Sequence, residues 1–547
     1  MMRRTLLVCL SAWAIQSSAR ADTLRVGAGE AFASIQDALD AAAEGDEIRV
    51  SPGTYAPFET TASSLTIVGD GEAVVRGGGL LADIRHDDVL LQNLAFDGEE
   101  AAPRGVRVQG DGFTLLNSEV RHVAGNCVDL RRVDNALIDG SRLHHCLRSQ
   151  SNGCVSERCR DDAHGIVGGA VQSLTVRDSE IYLFSGDAIQ IDSGWREADR
   201  RWTDVLVEGC TFWSAPLEEA TRAYAAGINP AENAIDTKTR PGFADATMTV
   251  RDTVAHGFRG GLIPNMSAFN LKQDVVFEID RVTVYDSEIA FRVRGAGGDW
   301  ARGASLTLTN AVIYDVERAI RYEDELRPLT ISHCTFGAGV DRAFQDSSSG
   351  AVSISAVNNL VLGDALPSEL PAGRFNLAVS AAEFVNASAN DYRLATSASA
   401  IDAGEGNDVA TDRDGVPRPQ GEGFDVGAFE ACGDCEPAPM DGGPPIDGGS
   451  AMDAGAADAS APSSDVDSGA GDSGTALDVG TDAGGSDVEG GGGCAVRTTG
   501  GAWLAWLLLF AGLRRRRTVT HAGLGARGGL AFGESAPARN GKEPLEG

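Results

Sequence analysis

The chain has 547 residues, with 46 Lys and Arg against 79 Asp and Glu, so its formal net charge at pH 7 is -33. Binding to nucleic acid and adsorption to an anionic membrane both need a basic surface, and this balance argues against both. The length fits two or three globular domains or one long solenoid with tails.

The first 21 residues have the features of a secretion signal. Arg3 and Arg4 precede an apolar run from Leu6 to Ile15, and small residues stand before Asp22. The run is too short to span a bilayer comfortably, although an N-terminal membrane anchor is the alternative. We therefore predict that residues 1–21 are a signal peptide and that the protein is secreted.

A short amphipathic helix is predicted at the start of the exported part. Ser34 can cap its N-terminus and Gly45 can end it. The residues on its apolar face are Ile35, Ala38, Leu39 and Ala42. Such a helix would cover the otherwise exposed first coil of a solenoid, as stacked repeats require.

One short pattern, an apolar strand followed by a small or apolar residue, a polar one and an apolar one, returns at steps of roughly 23 to 43 residues. The central residues of this series are Ala95, Glu119, Arg142, Glu180, Thr211, Val254, Thr283, Val312 and Thr335. The shorter steps match one coil of a parallel β-helix, and the longer steps indicate coils with inserted loops.

A second series of strands runs in phase with the first and alternates apolar and polar residues, which is typical of half-buried strands. Its members begin at Val106, Val128, Ile166, Ile189, Ile235, Phe291 and Ile320. A β-sandwich built from hairpins is the alternative, but tight two-residue turns are scarce between these strands. The sequence therefore predicts an all-β fold, a right-handed parallel β-helix, over residues 22–370.

The beginning of this region also resembles a known family. The text from Phe32 to Val50, followed by Gly53-Thr54-Tyr55, resembles the first coil of the pectate lyase-like β-helix superfamily. The resemblance extends over roughly residues 24 to 365 and implies the same right-handed solenoid. No catalytic residue is carried over from it.

Residues 371–431 resemble the closing module of surface β-helix proteins that have a variable, choice-of-anchor C-terminus. The matching text is Asp391–Leu394, Ser399–Gly404 and Gly423–Glu430. Residues 432–493 are mostly Asp, Gly, Ala and Ser, so we predict a disordered linker.

Residues 494–517 have the order of a surface anchor. Cys494 precedes an apolar stretch from Ala502 to Leu513 and the basic run from Arg514 to Arg517. This order resembles the C-terminal sorting tails of myxobacterial surface proteins, which implies attachment to the cell surface or outer membrane at Cys494. An unprocessed transmembrane anchor and soluble export are the alternatives, and the role of residues 518–547 is unknown.

The other cysteines of the exported part fall into two groups. Cys154 with Cys159, and Cys432 with Cys435, are close enough in sequence to close small disulfide loops. Cys210 and Cys334 lie in apolar strands, so we predict buried free thiols.

Aligning the second series of strands produces two outward columns of residues. The first contains Asp129, Val167, Gln190, Asp236, Arg292 and Arg321. The second contains Arg131, Gly169, Asp192, Lys238, Arg294 and Glu323. The residues just ahead of these strands include His164, Asp187, Glu232 and Asn233. Because coils stack about 4.8 Å apart, the sequence predicts a charged site between Asp187 and Arg294.

These residue types suit cleavage of a uronate polymer by β-elimination, in which a base removes the proton beside a neutralised carboxylate. The cofactor we predict is Ca²⁺, which prefers oxygen ligands. The predicted metal ligands are Asp187, Asp192, Glu232 and Asp236. The predicted catalytic residues are Lys238 as the base, and Arg292 and Arg294, which would lower the Lys238 pKa and hold the substrate carboxylate.

Aromatic residues from the longest insertions, 193–203 and 213–231, suit stacking on sugar rings, although they also suit plain packing of the loops. The predicted substrate-binding residues are Trp195, Trp202, Trp213, Tyr224, His164 and Gln190.

The leading hypothesis is therefore a monomeric, surface-anchored β-helix that binds, and by Ca²⁺-assisted elimination cleaves, an acidic polysaccharide. One alternative is a non-catalytic adhesin or structural protein, in which the same charges form ladder ion pairs on a solvated sheet. Another is a glycoside hydrolase that uses Asp192 and Asp236 as an acid and base pair.

Overall fold

The computed structural model describes residues 21–192, 202–239, 246–297 and 302–433. The predicted linker from residue 434 onward and the anchor at Cys494 lie outside the described residues. The described part of the chain contains no helix with the length and hydropathy that a membrane crossing requires.

Three long parallel sheets, A, B and C, form the body of the protein, and between Glu47 and Asp346 each coil contributes one strand to each sheet in that order. The strands of sheet A are Thr23–Val26, Glu47–Val50, Thr66–Gly69, Leu90–Gln92, Thr114–Leu116, Ala136–Asp139, Ser173–Arg177, Asp204–Glu208, Ala246–Arg251, Val275–Asp280, Ser305–Thr309, Leu329–Ser332 and Ile354–Val357. The strands of sheet B are Gly53–Tyr55, Ala73–Arg76, Ala95–Asp97, Glu119–Val123, Arg142–Cys146, Glu180–Phe184, Thr211–Trp213, Val254–His256, Thr283–Tyr285, Val312–Ile313, Thr335–Phe336, Leu360–Leu362 and Leu377–Val379. The strands of sheet C are Phe58–Glu59, Ala82–Ile84, Arg104–Val108, Asn126–Arg131, Ile166–Gly169, Asp187–Asp192, Asn233–Lys238, Ser267–Leu271, Ser287–Val293, Val316–Tyr322 and Val340–Asp346. This is the predicted right-handed parallel β-helix.

The two predicted strand series are sheets B and C, and their apolar residues form one continuous core. In sheet C, Ile189 pairs with Ile235, and both are fully buried. Stacked coils cover each other's inner faces in this way, which one coil alone cannot do.

One coil of sheet C was missing from the sequence prediction. The strand Ser267–Leu271 lies between Asn233–Lys238 and Ser287–Val293, and its Phe269 pairs with Ile235 on one side and Phe291 on the other. Its polar residues are Ser and Asn rather than charged residues, so the alternation that marks a half-buried strand is weak there.

The predicted capping helix is confirmed over Ile35–Ala41. The Ser34 hydroxyl accepts a hydrogen bond from the Asp37 backbone N–H at 3.1 Å, which satisfies one of the free donors of the first turn. Ile35, Ala38 and Leu39 are buried against the first coils.

The predicted Cys154–Cys159 disulfide is confirmed, and so are the buried free thiols of Cys210 and Cys334. A further disulfide, Cys127–Cys146, links sheet C to sheet B within the core, and the sequence did not predict it. Cys432 is also disulfide-bonded, and its predicted partner Cys435 lies outside the described residues.

After the last strand of sheet B the chain folds back along the solenoid. Its short elements are the antiparallel strands Phe384–Asn386 and Asp391–Leu394 and the 3₁₀ turns Ala372–Arg374, Ala381–Glu383 and Ala387–Ala389. Arg418 and Glu430 form a fully buried ion pair of 2.7 Å in this region, and Arg413 donates to the Thr283 hydroxyl of sheet B.

A further small antiparallel pair, Arg148–Ser149 with Arg160–Asp161, lies in the insertion closed by Cys154–Cys159, which also holds the 3₁₀ turn Glu157–Cys159.

Candidate functional site

The candidate site is the outer face of sheet C, and the register of its strands fixes which residues are neighbours. Consecutive Cα partners along the column are Val167, Gln190, Asp236, Asn270, Arg292, Arg321 and Gln345. Asn270 therefore separates Asp236 from Arg292, whereas the sequence prediction placed those two side by side. The cause is the missing coil, which also hid Asn270 and Lys272.

The first part of the predicted site is a buried polar network. Asp187 Oδ2 lies 3.3 Å from His164 Nδ1, and Asp187 Oδ1 accepts a hydrogen bond of 2.8 Å from the Asn233 amide. Gln190 Nε2 lies 3.1 Å from His164 Nε2, and Gln190 Oε1 accepts from Lys238 Nζ. Since His164, Asp187 and Gln190 are all buried, they bind one another and leave little surface for a substrate.

The Asp187 carboxyl is held in its ionised form by this network. Burial by itself would raise its pKa, but the hydrogen bond and charge of His164 lower it, and the net pKa lies below the usual range of an aspartate. Asp187 is thus an ionised carboxylate that hydrogen bonds hold in place below the outer surface of sheet C.

Asp236 is the centre of the next part. It is buried, and Lys272 Nζ lies 2.9 Å from its carboxylate, Lys238 Nζ lies 3.5 Å away, and the Asn270 amide donates to it at 3.2 Å. Burial raises the pKa of Asp236, against the lowering effect of Lys272. Its two oxygens are therefore surrounded by nitrogen donors.

Lys238 does not have the environment that the sequence prediction gave it. Burial lowers the pKa of its ammonium, but Asp236, Asp187 and Asp192 raise it more, so the net pKa lies above the ordinary value. Arg292, which was expected to lower that pKa, is two strands away from Asp236 in register. The residue is a stable cation, which disfavours the predicted role as a neutral base.

The four predicted calcium ligands do not come together as a metal site. Glu232 forms an ion pair of 3.0 Å with Arg160, Asp187 and Asp236 bind nitrogen donors, and Asp192 ends its strand beside Lys238. Among the residues described by the structure, no group of three or more His, Cys, Asp or Glu is placed to hold a metal ion. The donor set does not fit Ca²⁺, which takes six to eight oxygen ligands.

Glu232 nevertheless differs from an ordinary surface carboxylate. Burial, and next the negative charge of Asp187, raise its pKa to about 7, although Arg160 acts in the opposite direction. This carboxyl therefore exchanges a proton near neutral pH, which is the range in which general acids and bases work.

From the strand of Asp236 onward, most of the charged residues in the two outward columns of sheet C are basic. We call these basic residues the cationic stretch. Its members are Lys238, Lys272, Arg292, Arg294 and Arg321. Arg292 is 19% exposed, and its pKa is lowered to about 10, first by burial and then by Arg294 and Arg321. Glu323 balances part of this charge, at 2.9 Å from Arg294 and 3.8 Å from Arg292.

Three buried polar atoms along this stretch have no hydrogen-bond partner within the described part of the protein. They are Asn270 Oδ1, Arg292 Nε and Gln345 Oε1. A buried polar group without a partner costs free energy, and one explanation is that a ligand supplies the missing partner. The sequence pattern did not indicate Asn270 and Gln345, because an uncharged amide in a strand carries no signal of its own.

Two of the predicted aromatic platforms, Trp202 and Tyr224, are not open to a sugar. Trp202 is 1% exposed and donates to the Lys238 carbonyl at 3.2 Å, and Tyr224 is 0% exposed within a small apolar cluster. Trp213 lies on sheet B, where its ring is stacked between those of Tyr182 and His256. Trp202 and Tyr224 therefore pack the protein itself, whereas Trp213 is half-buried. Trp195 lies outside the described residues.

Comparison with known proteins bears on the fold alone. No family model matches the chain, and no curated protein is significantly similar to it in sequence. Among solved structures, pectate lyase Pel9A has 14% identity and a TM-score of 0.42, covering 75% of this chain and 96% of that one. An alginate lyase from Paenibacillus sp. str. FPU-7 has 16% identity and a TM-score of 0.34, covering 61% and 98%. The mannuronan C-5 epimerase AlgE6 A-module of Azotobacter vinelandii has 13% identity and a TM-score of 0.41, covering 60% and 88%.

Proposed function

We propose that this protein binds an acidic polysaccharide along the cationic stretch of sheet C. The observation that carries the proposal is the row of partly buried cations with unpartnered polar atoms among them, at Asn270 and Arg292. Because the chain as a whole carries a net charge of -33, a local excess of cations has no role in general solubility. Arginine pairs with carboxylates through two parallel hydrogen bonds, which suits a uronate.

Cleavage by β-elimination is the reaction that this arrangement favours. A base removes the proton beside the uronate carboxylate, the bond to the leaving oxygen breaks, a carbon–carbon double bond forms, and the leaving oxygen takes up a proton from water. Arg292 is a better candidate for the base than Lys238, because burial and its cationic neighbours lower its pKa to about 10 whereas that of Lys238 is raised. Lys272 and Arg294 would neutralise the carboxylate.

The direct test is to incubate the purified protein with polygalacturonate, alginate and chondroitin sulfate, and with a neutral glucan as control. Binding is followed by affinity electrophoresis, and elimination by the ultraviolet absorbance of the unsaturated product. We expect retention on an acidic polymer and absorbance that disappears in Arg292→Ala. Binding without absorbance would identify an adhesin, and retention on the neutral glucan alone would refute the proposal.

Hydrolysis is the second candidate, because the Glu232 pKa of about 7 suits a general acid beside the ionised Asp187. The pair first predicted for hydrolysis, Asp192 and Asp236, fits less well, since Asp236 is bound by two lysines. A hydrolase would release reducing ends without ultraviolet absorbance, and Glu232→Gln would abolish that release.

Export, a monomeric state and attachment at Cys494 complete the proposal. The sequence patterns of residues 1–21 and 494–517 support export and anchoring. Cell fractionation of the wild type and of Cys494→Ser tests the anchor, since the variant should move from the membrane fraction to the medium. Size-exclusion chromatography with light scattering tests the monomer.

A further inference from the structure

We infer that Lys272, assisted by Lys238, takes the place of a divalent cation at Asp236, so that the polysaccharide site works without Ca²⁺. The inference rests on the proposed function for its substrate, and it replaces the calcium centre that the sequence predicted.

The contacts of Asp236 support this replacement. Lys272 Nζ lies 2.9 Å from each of its two oxygens, Lys238 Nζ lies 3.5 Å from Oδ2, and the Asn270 amide donates to Oδ1 at 3.2 Å. The carboxylate is 2% exposed. A calcium ion would need these oxygens, and nitrogen donors already occupy their hydrogen-bonding positions.

The choice of lysine is informative, because this chain almost always uses arginine. Lysine occurs three times, at 238, 272 and 542, among 46 basic residues. Both lysines of the described solenoid thus converge on one buried carboxylate from adjacent coils. An ammonium is a compact point charge and a guanidinium is a broad planar fork, so lysine resembles a bound metal ion more closely.

The position of Lys272 also connects this charge with the substrate. Its ammonium contacts Asp236 while its side chain stays 22% exposed, so part of the residue lies at the outer face. Lys272 directly follows the strand Ser267–Leu271, which pairs with the strand of Arg292, whose Nε lacks a partner within the described residues. A uronate carboxylate placed there would meet a permanent positive charge from the protein itself.

The test compares the wild-type protein, Lys272→Met and a matched control, Arg177→Met, in EDTA and in CaCl₂. Arg177 forms an exposed ion pair with Asp139 on sheet A, away from the site. Binding to polygalacturonate is measured by isothermal titration calorimetry, and Tm without polymer by differential scanning fluorimetry.

We expect wild-type affinity to agree within about twofold in the two buffers, and wild-type Tm to be unaffected by Ca²⁺. Lys272→Met should lose about tenfold or more in affinity and should melt at a lower temperature, because it removes the nearer of the two ammonium groups that neutralise the buried Asp236 carboxylate. Arg177→Met should bind like the wild type.

Wild-type binding that needs Ca²⁺, or a wild-type Tm that rises with Ca²⁺, would overturn the inference. So would a Tm of Lys272→Met equal to that of the wild type. If polygalacturonate binds in neither buffer, the proposed function fails for that polymer. The replacement at Asp236 would still be upheld if Ca²⁺ leaves the wild-type Tm unchanged and Lys272→Met has a lower Tm than the wild type.

Discussion

Two parts of the same sheet use charge in opposite ways. On the early coils of sheet C, Asp83 lies 2.8 Å from Arg85 and 2.9 Å from Arg107, and Asp129 is enclosed in the same way by two arginines. We call these residues the paired stretch. On the later coils, the cationic stretch places Arg292 directly beside Arg321 in register.

The difference separates charges that neutralise one another within the solenoid from charges that we propose to face a partner. In the paired stretch each buried carboxylate is neutralised by its neighbours, so the pKa of Asp83 falls below its usual value despite burial, through its bonds to Arg107 and Arg85. In the cationic stretch the neighbours repel, and the pKa of Arg292 falls. A cluster of like charges that repel one another does not stabilise the fold, so it indicates a functional role.

The largest effect should come from Arg292→Ala. Removing one guanidinium from the cationic stretch should weaken binding to an acidic polysaccharide by about 10- to 100-fold, because charge-assisted hydrogen bonds are lost. Arg107→Ala in the paired stretch is the matched control and should change affinity by less than about twofold. Equal losses in titration calorimetry would mean that the two stretches do not differ in function.

Stability should show the reverse order. Asp83→Ala leaves Arg85 and Arg107 without their shared carboxylate and should lower the free energy of unfolding by about 1–3 kcal/mol. Arg292→Ala removes a repulsive neighbour of Arg294 and Arg321, so stability should stay the same or rise. Urea unfolding followed by circular dichroism measures both, and a marked destabilisation by Arg292→Ala would contradict the comparison.

A change in ionic strength should affect polysaccharide binding at the cationic stretch more than the stability provided by the paired stretch, and the effect should be smaller than those of the substitutions. Polysaccharide affinity should fall several-fold between low and physiological salt, because the cations are partly exposed and salt screens them. The unfolding midpoint should change much less, since the carboxylates of the paired stretch are buried. Affinity that does not depend on salt would point to a ligand without charge.

The smallest effect concerns pH. The pKa of Glu232 is raised to about 7 by burial and by Asp187, so below pH 7 it takes up a proton and no longer repels a polyanion. Affinity should therefore rise about two- to threefold from pH 8 to pH 6, and this rise should be absent in Glu232→Gln.

Glu232 also has a defined effect on stability. An acid whose pKa is raised on folding destabilises the protein while it is ionised, so the penalty is fully present above pH 7 and disappears as pH falls toward the unfolded value. The urea midpoint of the wild type should therefore rise relative to that of Glu232→Gln as pH is lowered from 8 to 6. A constant difference between the two proteins would show that Glu232 does not titrate in this range.

Local pattern was sufficient for much of the fold. Ser34 and the apolar face of the helix predicted the cap, the recurring strands predicted sheets B and C, and the apolar surroundings of Cys210 and Cys334 predicted buried thiols. Each of these rests on residues close together in sequence. The disulfide Cys127–Cys146 was missed because its two cysteines lie on different sheets, and nothing in the spacing indicates that they meet.

The site was predictable only in part. The sequence indicated which residues of sheet C point outward, but omission of the strand Ser267–Leu271 shifted all later neighbours by one coil. Trp202 and Tyr224 were predicted to stack on sugar rings, with plain packing as the alternative, and the structure buries both of them. The sign of the Lys238 pKa shift also depended on neighbours that only the register identifies.

The sequence by itself determined the period of the coil, the inward and outward sides of each strand, and the helix that begins the stack. These follow from interactions within one strand or one turn. Only the tertiary structure decided which outer side chains touch, because such neighbours come from different coils and are brought together by stacking. The ion pair of Asp236 with Lys272 is a contact of this kind. Omission of the single strand Ser267–Leu271 from the sequence prediction was enough to hide it.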